Sequence, residues 1–559
     1  MSESNIDKKD AIDLAPEHSH LHQEVAGMHG KAIVTREPYG KPGFAGLFSS
    51  PYVATCALFA TLGGLLFGYD QGVISVTLVM EQFLGRFPRV SAQASGAGFW
   101  KGLMTAMLEL GALIGALFAG YLADKLSRKY SIVVAVVVFT IGSILQTAAV
   151  EYAMLTIGRL IGGMGIGALA TIAPLYISEI APPEIRGALL VLQEFSIVLG
   201  IVVAFWTTYG TRYMVGEWSW RLPFLIQMIP GLVLGVGIFF LPFSPRWLSS
   251  KGRDDEALEV LGKLRRFPTT DPRVYQEWCE IRAEVTFKQE INRERHPQLQ
   301  APTRSNRFKL EVQSWLDCFR HGCWKRTLVG VGIMFFQQFV GINALIYYSP
   351  SLFETLGQDY EMQLLLSGII NCTQLVGVVS SLWTMDRFGR RPLLLVGAAL
   401  MFICHLIIAV LVGKYGGRWA SYATEGWVAV AFLFFYMLSF GATWGPVPWA
   451  MPSEIFPSSL RAKGVALSTC SNWFNNFIIG LITPPLIQNT NEGAYVFFAV
   501  FCLCAFVFTY FLVPETAGKT LEEMDEVFKD ISSEAEEQQK TRIMAEILEG
   551  NRRTYAAAA

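Results

Sequence analysis

The stretch YISEIAPPEIRG (176–187) ends a long apolar run and carries the pattern Ser-Glu-Ile-x-Pro-x-x-x-Arg at Ser178–Arg186. The same pattern returns at Ser453–Arg461, again after an apolar run and nearly half of the chain later. A second pattern repeats at a similar interval, as DKLSRK (124–129) and DRFGRR (386–391). Self-similarity at about half the chain length indicates a duplicated architecture. Charged motifs that recur at the ends of apolar runs predict a membrane protein built from two related halves.

The composition is that of a membrane protein rather than of a soluble domain. Of the 559 residues, 52% are hydrophobic and 16% are charged, whereas soluble domains carry about 25% charged residues. About a dozen apolar stretches are long enough to cross a bilayer, which takes roughly 20 residues per helix. The formal net charge of −1 excludes a general basic surface, so no nucleic-acid partner is expected.

The reactive residue types form no catalytic or metal-binding pattern. The spacing of the nine cysteines fits neither a zinc site nor an extracellular disulfide framework. No nucleophile–base pair, metal-ligand cluster or phosphate-binding glycine loop occurs at a useful spacing. We therefore expect a protein that is not an enzyme and that needs no metal and no cofactor.

The apolar stretches predict twelve membrane-spanning helices. Lipid offers no partner for unpaired backbone groups, and these stretches are too long to be barrel strands. Lys and Arg concentrate in alternate loops, which marks those loops as cytoplasmic, and both termini are expected on that side. The predicted spans are 52–80, 98–122, 131–150, 153–177, 188–209, 222–242, 327–352, 362–385, 392–413, 426–451, 464–487 and 494–513.

The predicted fold class is an all-α membrane protein, with twelve transmembrane helices in two pseudo-symmetric six-helix bundles and a cytoplasmic helical linker. Apolar residues recur at helical spacing in 254–266, which supports a helical linker. In the tail, 521–548 is interpreted as a solvated helix or as disorder. The predicted division is 1–51 as a cytoplasmic tail, 52–242 as the first six-helix domain, 243–326 as the linker, 327–513 as the second six-helix domain and 514–559 as a cytoplasmic tail.

Each half carries carboxylates and arginines at matching positions of the repeated loops. Ion pairs between neighbouring helix ends can form and break as helices tilt, and so hold one conformation of a two-state protein. The alternative is that the basic residues only direct topology, which leaves the matched carboxylates unexplained. We call this predicted set the charge latch; its members are Asp124, Arg128, Glu179, Arg186, Asp386, Arg390, Glu454 and Arg461.

Several sequence strings occur in order along residues 50–530. They are GGLLFGYDQGVIS (63–75), GYLADKLSRK (120–129), GRLIGGMGIG (158–167), YISEIAPPEIRG (176–187), SPRWL (244–248), QQFVGINALIYY (337–348), DRFGRRP (386–392), WGPVPWAMPSEIFPSSLRAKG (444–464) and PETAGKTLEE (514–523). With these strings the chain resembles the sugar porter family of the major facilitator superfamily, and fungal monosaccharide transporters in particular. The resemblance implies two six-helix domains, a central sugar site and alternating access.

Three positions depart from the pattern of that family. Ser127 stands where glycine is usual, Phe243 where glutamate is usual, and Ala517 where lysine is usual. The absence of an acid at position 243 removes one partner from the latch of the first half. We therefore expect a weaker latch there than in the second half.

Amide side chains within the predicted spans form the candidate substrate site. A sugar is a ring of hydroxyls with an apolar face, so its site needs groups that both donate and accept hydrogen bonds, and an aromatic surface. A single amide is explained equally well by an interhelical hydrogen bond, but a set drawn from five helices favours a sugar. The positions, which match the sugar-contacting residues of the family, are Phe67, Gln193, Gln337, Gln338, Asn343, Tyr347, Asn371, Trp449 and Asn472.

One acid and one arginine lie at a similar depth in the first half. Asp70 is in the outer part of the first span and Arg159 in that of the fourth. A buried carboxylate needs a nearby cation to stay charged, so protonation of Asp70 would release Arg159 and link proton entry to sugar affinity. The alternative is a permanent ion pair in a passive facilitator. Two more carboxylates within spans, Glu109 and Glu194, are left without an assigned role.

The function that the sequence favours is a proton-coupled monosaccharide symporter for a hexose or pentose, working as a monomer in the plasma membrane. Its expected partners are a neutral monosaccharide, a proton and the lipid bilayer. A neutral sugar is favoured because Arg159, the only mid-span cation near this site, is assigned to Asp70. The alternatives are a facilitative hexose uniporter and, less favoured, a sugar sensor, because the tail that follows Pro514 is short.

Overall fold

The computed structural model describes residues 39, 51–182, 185–301, 303–320, 322–457, 459–490, 492–519, 521–528, 536 and 538–549. Within this part of the chain all regular structure is helical. Twelve long helical elements fall into a first half, α1–α6, and a second half, α7–α12. They are α1 Pro51–Thr77, α2 Ala97–Leu126, α3 Arg128–Thr147, α4 Tyr152–Ile180, α5 Arg186–Thr211, α6 Trp218–Phe240, α7 Trp324–Thr355, α8 Tyr360–Phe388, α9 Arg390–Tyr415, α10 Ala423–Ile455, α11 Arg461–Thr490 and α12 Gly493–Leu512.

Eleven of these described helices are long and apolar enough to cross a membrane. The twelfth, α11, has 30 residues but is more polar, because Asn472, Asn475 and Asn476 lie in its middle. These three side chains are buried, so they face protein and not lipid. The predicted fold class, with twelve helices in two halves, is confirmed.

Two predicted spans are broken within the membrane by residues with non-helical backbone, whereas α6, which is divided at Gln227, keeps helical backbone angles there. α7 divides into α7a (Trp324–Phe339) and α7b (Ile342–Thr355), and α10 divides into α10a (Ala423–Ala442) and α10b (Val447–Ile455). The sequence predicted each as one continuous helix. In α7 the break follows from Gly341, whose φ of +103° is a left-handed value that no helix contains.

The break in α7 frees the carbonyl of Val340, and three neighbouring helices bind it. The Tyr436 hydroxyl of α10a donates to this oxygen at 2.9 Å, and Nε2 of His405 in α9 lies 3.2 Å from it. The Cys502 thiol of α12 approaches to 3.9 Å. An unpaired carbonyl within lipid costs several kcal/mol, so these contacts fix the position of the break.

Helices α2 and α4 pack with their backbones nearly in contact. A Cβ atom added to Gly163 of α4 would lie 2.0 Å from the carbonyl oxygen of Leu108 in α2. Small residues at helix interfaces permit such close approach in membranes. The same contact brings Arg159 of α4 against the backbone of α2.

The halves meet at the end of the bundle away from the loops that carry Arg128 and Arg390; we call this the distal end, and the other the loop end. Ser75 of α1 and Ser349 of α7b have hydroxyl oxygens 3.2 Å apart. Arg212, at the distal end of α5, pairs with Glu361 of α8. α2 and α11 also approach closely, since a Cβ added to Gly102 would lie 2.4 Å from the Leu481 carbonyl oxygen. The distal end is therefore closed in this structure.

Shorter helices lie between the long ones. One α-helix, Glu81–Arg86, and one 3-10 helix, Pro88–Val90, connect α1 to α2. Trp419–Ser421 is a 3-10 helix before α10, and Leu521–Phe528 follows α12. The linker helices, at the loop end, are Pro245–Ser250, Asp254–Arg265, Pro272–Arg295 and Arg304–Leu316, with 3-10 turns at Pro297–Leu299 and Asp317–Phe319.

The linker helices contact both halves. The Trp247 indole donates to the carbonyl of Asp124, and Arg265 donates to the carbonyl of Ile180, both in the first half. Lys463 of α11 pairs with Glu311 of the linker. Burial alone would raise the pKa of the Glu284 carboxyl, but Lys288 and Arg246 beside it hold that pKa below its ordinary value. The linker is therefore tied to the first and second halves by polar contacts.

The described part of the tail is packed against the linker, whereas the sequence indicated a solvated helix or disorder. Residues 538–549 are helical, and Ile543 is only 2% exposed where it meets Phe287 and Ile291. Gln539 donates to the carboxylates of Glu290 and Glu294 on the same linker helix. The interpretation as a solvated segment was wrong here, because the apolar face of this helix finds an apolar partner.

We expect Gly341→Ala to lower the melting temperature of the protein in detergent. Alanine is strained at φ +103°, and its Cβ would lie 2.9 Å from the Phe498 ring, which together destabilise the fold by about 1–3 kcal/mol. Gly210→Ala is the control, because nothing lies within 4 Å of an added Cβ in that part of α5. Equal melting temperatures for the two variants would contradict the role of Gly341.

Candidate functional site

The hydroxyl of Tyr347 joins the two halves near the middle of the molecule. This residue of α7b is fully buried, and its hydroxyl contacts a carboxyl oxygen of Glu109 in α2. Nε2 of Gln71 in α1 donates to the same hydroxyl at 2.9 Å, and Oδ1 of Asn476 in α11 lies 3.3 Å away. One predicted substrate residue thus makes a polar contact between halves.

Gln337 holds three helices of the second half together. Its Nε2 donates to the carbonyls of Trp444 and Gly445, at 2.9 and 3.0 Å, in the break of α10. Its Oε1 accepts a hydrogen bond of 2.5 Å from Nδ2 of Asn472 in α11. The carbonyls freed by the α10 break are paired in this way, and two of the predicted amides are brought together.

The neighbouring Gln338 has a different environment. Its Oε1 accepts a hydrogen bond from Nδ2 of Asn343, across the break in α7. Phe67 of α1 lies edge-on to Trp473 of α11, with ring centroids 4.8 Å apart. The aromatic pair comes from opposite halves, so Phe67 and Trp473 form a further contact between them.

Besides Phe67, three predicted substrate residues take no part in these hydrogen bonds. Oε1 of Gln193 and both amide atoms of Asn371 are buried and have no hydrogen-bond partner among the described residues. Trp449 is half-buried in α10b. Buried amide atoms are normally paired, so those of Gln193 and Asn371 are open to a further partner.

Asp70 and Arg159 form an ion pair in the first half. Nη1 of Arg159 lies 3.2 Å from Oδ1 of Asp70, and both side chains are 0% exposed. The guanidinium also donates to the carbonyls of Met104, at 2.9 Å, and Thr105, at 3.4 Å, in α2. Oδ2 of Asp70 has no hydrogen-bond partner within the described part of the chain. Arg159 therefore joins α1, α2 and α4.

In the first half of the charge latch, Arg128 binds two carboxylates. Its guanidinium lies 2.8 Å from Glu179 at the end of α4 and 3.0 Å from Asp124 at the end of α2. In the second half, Arg390 pairs with Glu454 at 2.9 Å, and the Thr516 hydroxyl donates to the other oxygen of Glu454 at 2.6 Å. Each ion pair joins helix ends within one half.

Three predicted members of the latch have a different outcome. Arg461 makes no ion pair with any described carboxylate, and its Nε lies 3.5 Å from the carbonyl of Phe456. The side chains of Arg186 and Asp386 lie outside the described residues, so their predicted roles stay predictions. Arg461 was predicted as a member of the latch from the repeated pattern, but Glu454 is bound by Arg390 and Thr516 instead.

The two halves cap the helix after the latch loop in different ways. In the second half, Glu515 accepts hydrogen bonds from the backbone N–H groups of Arg390 and Arg391, at 2.9 and 3.0 Å, where α9 begins. Burial raises the pKa of the Glu515 carboxyl, but these N–H groups and those of Thr516 and Ala517 outweigh burial and hold it below its ordinary value. The negative charge is favourable at a helix N-terminus, so Glu515 anchors the tail to α9.

The first half has Ser127 and Phe243 in the equivalent places. Ser127 has φ +93° and ψ +158°, a conformation that is almost confined to glycine. Its hydroxyl accepts a hydrogen bond from the backbone N–H of Tyr130 where α3 begins. Phe243 stacks on Trp247, with centroids 5.6 Å apart, and Lys129 lies over its ring. Serine thus caps α3 in place of the missing acid.

We expect the two departures to depend on each other. In the second half, a Cβ atom added to Gly389 would lie 2.6 Å from Oε2 of Glu515, and Gly389 has φ +87°. The hydrogen bonds from the first two backbone N–H groups of α9 hold this carboxylate in place, so glycine at the turn leaves space for the acid. In the first half, the absence of an acid at Phe243 leaves room for the side chain of Ser127. The expected weakness of the first latch is not seen in the geometry of the Arg128 ion pairs.

Sequence reasoning did not identify the contacts of Gln71, Glu109 and Trp473. The sequence shows Glu109 as a carboxylate within a span. It does not show the partner of this carboxylate, because Tyr347 lies 238 positions away along the chain. Gln71 follows Asp70 directly, and Trp473 follows Asn472, so adjacency to predicted residues was the available signal. Only the packing of the halves shows which residues meet.

We expect Phe243→Glu to destabilise the protein when Ser127 is present and to be tolerated when Ser127→Gly is added. The new carboxylate would meet the Ser127 side chain, by analogy with the close contact between Glu515 and a Cβ added at Gly389. The melting temperatures of the single and double variants should show a coupling of about 0.5–3 kcal/mol. Gly389→Ser is the matched variant of the second half and should destabilise. Additive effects of the two first-half substitutions would contradict the dependence.

Comparison with known proteins is consistent with this architecture. The family model described as sugar (and other) transporter matches residues 56–528. The MFS glucose transporter mfs1 of Aspergillus flavus is 32% identical over 520 residues, which cover 88% of this chain and 93% of that protein. The quinate permease of Neurospora terricola is 33% identical over 496 residues, covering 85% and 89%.

Among solved structures, the proton:xylose symporter XylE from E. coli, bound to 6-bromo-6-deoxy-D-glucose, has a TM-score of 0.68 and 30% identity. The match covers 86% of this chain and 99% of that one. The chain belongs to the sugar porter family of the major facilitator superfamily.

Proposed function

We propose that this protein is a proton-coupled symporter of a neutral monosaccharide, a hexose or pentose, that works by alternating access. The main support for the proposal is the fully buried ion pair between Asp70 and Arg159. This pair lies in the first half, which also contacts the helices that bear the amide side chains. An ionisable pair within membrane-spanning helices is costly and is associated with function. In this proposal the protein works as a monomer in the plasma membrane with both termini in the cytoplasm, and it catalyses no reaction.

The amide set supports a sugar as the substrate. Gln193 and Asn371 present buried amide atoms without a partner among the described residues, and hydroxyl groups of a sugar are able to satisfy both donors and acceptors. Phe67 and Trp473 add an aromatic surface for the apolar face of a ring. Gln337 and Asn472 are hydrogen-bonded to each other, so their side chains are already fixed in position before a substrate binds.

The charge of the site favours a neutral substrate. None of the nine predicted substrate residues is cationic, and Arg159 is held by Asp70 and two carbonyls. An acidic substrate, of the kind named for the quinate permease relative, would need a dedicated cation to offset its charge. Binding of quinate in place of glucose or xylose would therefore contradict this part of the proposal.

The two sets of bonds that Arg159 makes support proton coupling. A proton on Asp70 removes the ion pair, while the bonds from Arg159 to the α2 carbonyls need no charge on Asp70. α1, which carries Phe67 beside the proposed site, is then less firmly tied to α2 and α4. The second candidate is a facilitative hexose uniporter, in which the same pair stays charged throughout. A sugar sensor is a third and less favoured candidate.

We expect Asp70→Asn to abolish uphill sugar accumulation in proteoliposomes while sugar exchange continues. A pH gradient drives at most about tenfold accumulation per pH unit for one proton per sugar, since one pH unit corresponds to about 1.4 kcal/mol. The measurement is uptake of labelled glucose and xylose with and without an inward proton gradient. Asp359→Asn, an exposed acid before α8, is the control and should accumulate normally. Accumulation that persists in Asp70→Asn would exclude this coupling.

We expect Gln338→Ala to weaken sugar binding by about 10- to 100-fold, which is the effect of losing 1–3 kcal/mol of hydrogen bonding. Binding of glucose and xylose to the purified protein is measured by calorimetry. The control is Gln363→Ala, which removes a buried amide at the distal end of α8 that donates to the carbonyl of Gln358. Equal affinities for the Gln338 variant and the unmodified protein would show that the site is elsewhere.

A further inference from the structure

Glu109 is a buried carboxyl whose role the proposed function leaves open. It lies in α2, is 0% exposed, and contacts the Tyr347 hydroxyl of α7b in the opposite half. Its second oxygen, Oε2, has no hydrogen-bond partner among the described residues. Glu109 is therefore a titratable group at a contact between halves.

The surroundings of the Tyr347 hydroxyl fit a protonated Glu109. A hydroxyl has one hydrogen to donate and two lone pairs to accept with. Gln71 donates to one lone pair. A protonated Glu109 donates to the other, and the Tyr347 hydrogen then points to Oδ1 of Asn476. An ionised Glu109 is only an acceptor, so it competes with Asn476 for that single hydrogen.

The charged groups near Glu109 do not neutralise it. Arg159 of α4 is within electrostatic range, as is Asp70 of α1, but the described hydrogen bonds of Arg159 go to Asp70 and to two α2 carbonyls. Apart from these two, the titratable groups that face Glu109 are Tyr347 and Tyr348 of α7b, and Gln71 of α1 faces it as an uncharged amide. Burying a carboxylate without its own cation is unfavourable, so closure around Glu109 favours the form that carries a proton.

The contact exists because the distal end is closed. Tyr347 lies in α7b beyond the break at Gly341, on the helix that also meets α1 through Ser349 and Ser75. Separation of α7b from the first half would remove the Tyr347 bond and open Glu109 to other partners. The protonation of Glu109 and the closure of the distal end are thus thermodynamically linked.

We propose that Glu109 is a proton-sensitive positioning residue: protonated, it holds Tyr347 and so stabilises closure of the distal end against α7b. This inference rests on the proposed alternating-access transport and adds to it a second carboxyl besides Asp70. Glu109 acts on Tyr347 and not on the sugar itself. A proton on Glu109 promotes closure, whereas the proton on Asp70 changes how Arg159 holds α1.

The test measures closure directly. In the full-length protein, Ser75→Cys and Ser349→Cys place two thiols where hydroxyl oxygens now lie 3.2 Å apart, and oxidation joins them only when the distal end is closed. The disulfide-linked peptide is quantified by mass spectrometry after mild oxidation at about pH 6 and about pH 8. Thiol reactivity itself rises with pH, so each variant is compared with the parent at the same pH.

In the double-cysteine protein, Glu109→Gln makes position 109 neutral at every pH. The cross-linking rate of this variant should lie within about twofold of the parent rate at pH 6 and be at least about fivefold higher than the parent rate at pH 8. The difference is expected because one proton changes an equilibrium up to tenfold per pH unit. Glu109→Asp should keep the pH dependence of the parent. The control is Glu151→Gln, an exposed acid before α4 at the distal end, which should match the parent at both values.

A ratio of Glu109→Gln to parent that is the same at both pH values would overturn the proposal. Slower cross-linking of Glu109→Gln at both values would also overturn it, because that result indicates a structural role alone. This measurement needs no transport. Failure of the uphill assay with Asp70→Asn therefore rejects proton symport, while failure of the cross-linking assay rejects the role of Glu109.

Discussion

Lipid leaves no water to bind an unpaired carbonyl, and the break in α7 frees one at Val340. Tyr436, His405 and Cys502 bind this oxygen from three helices, so the break has a fixed place in the second half. On one side of it, α7a brings Gln337 to the carbonyls of the α10 break and to Asn472. On the other side, α7b brings Tyr347 to the first half. The amide cluster and the contact between halves both depend on where this break lies.

The break also separates two kinds of polar side chain that look alike in the sequence. Gln337 and Gln338 are adjacent, yet Gln337 pairs backbone oxygens and Gln338 pairs only with Asn343 among the hydrogen bonds described here. Loss of the first would leave buried carbonyls unpaired, which is a cost to the fold. Loss of the second removes a group beside the proposed site. In the proposed function, the neighbouring amides therefore contribute separately, Gln337 to stability and Gln338 to binding.

Hydropathy and basic loops were enough to predict the twelve helices, because each apolar run must satisfy its own backbone. The sequence predicted α7 and α10 as continuous spans, since glycine and proline also occur in helices that continue, such as α4 with Pro174. Contacts between the halves could not be predicted from the sequence either, because Tyr347 and Glu109 meet only when the whole bundle is packed. The tail helix around Ile543 was misjudged because its partner, Phe287, lies far away along the chain.

The two halves repeat the pattern of the latch, and the residues beside it differ between the halves as matched pairs. A glycine at the turn and an acid after the sixth helix go together in the second half, as Gly389 and Glu515. A serine and an aromatic ring go together in the first, as Ser127 and Phe243. The two buried carboxyls, Asp70 and Glu109, also differ in the residue that each one contacts. Asp70 has an arginine that allows it to carry charge, whereas Glu109 has a tyrosine that accommodates its neutral form. In the proposed transport cycle, one proton therefore alters an ion pair and another alters a contact between the halves.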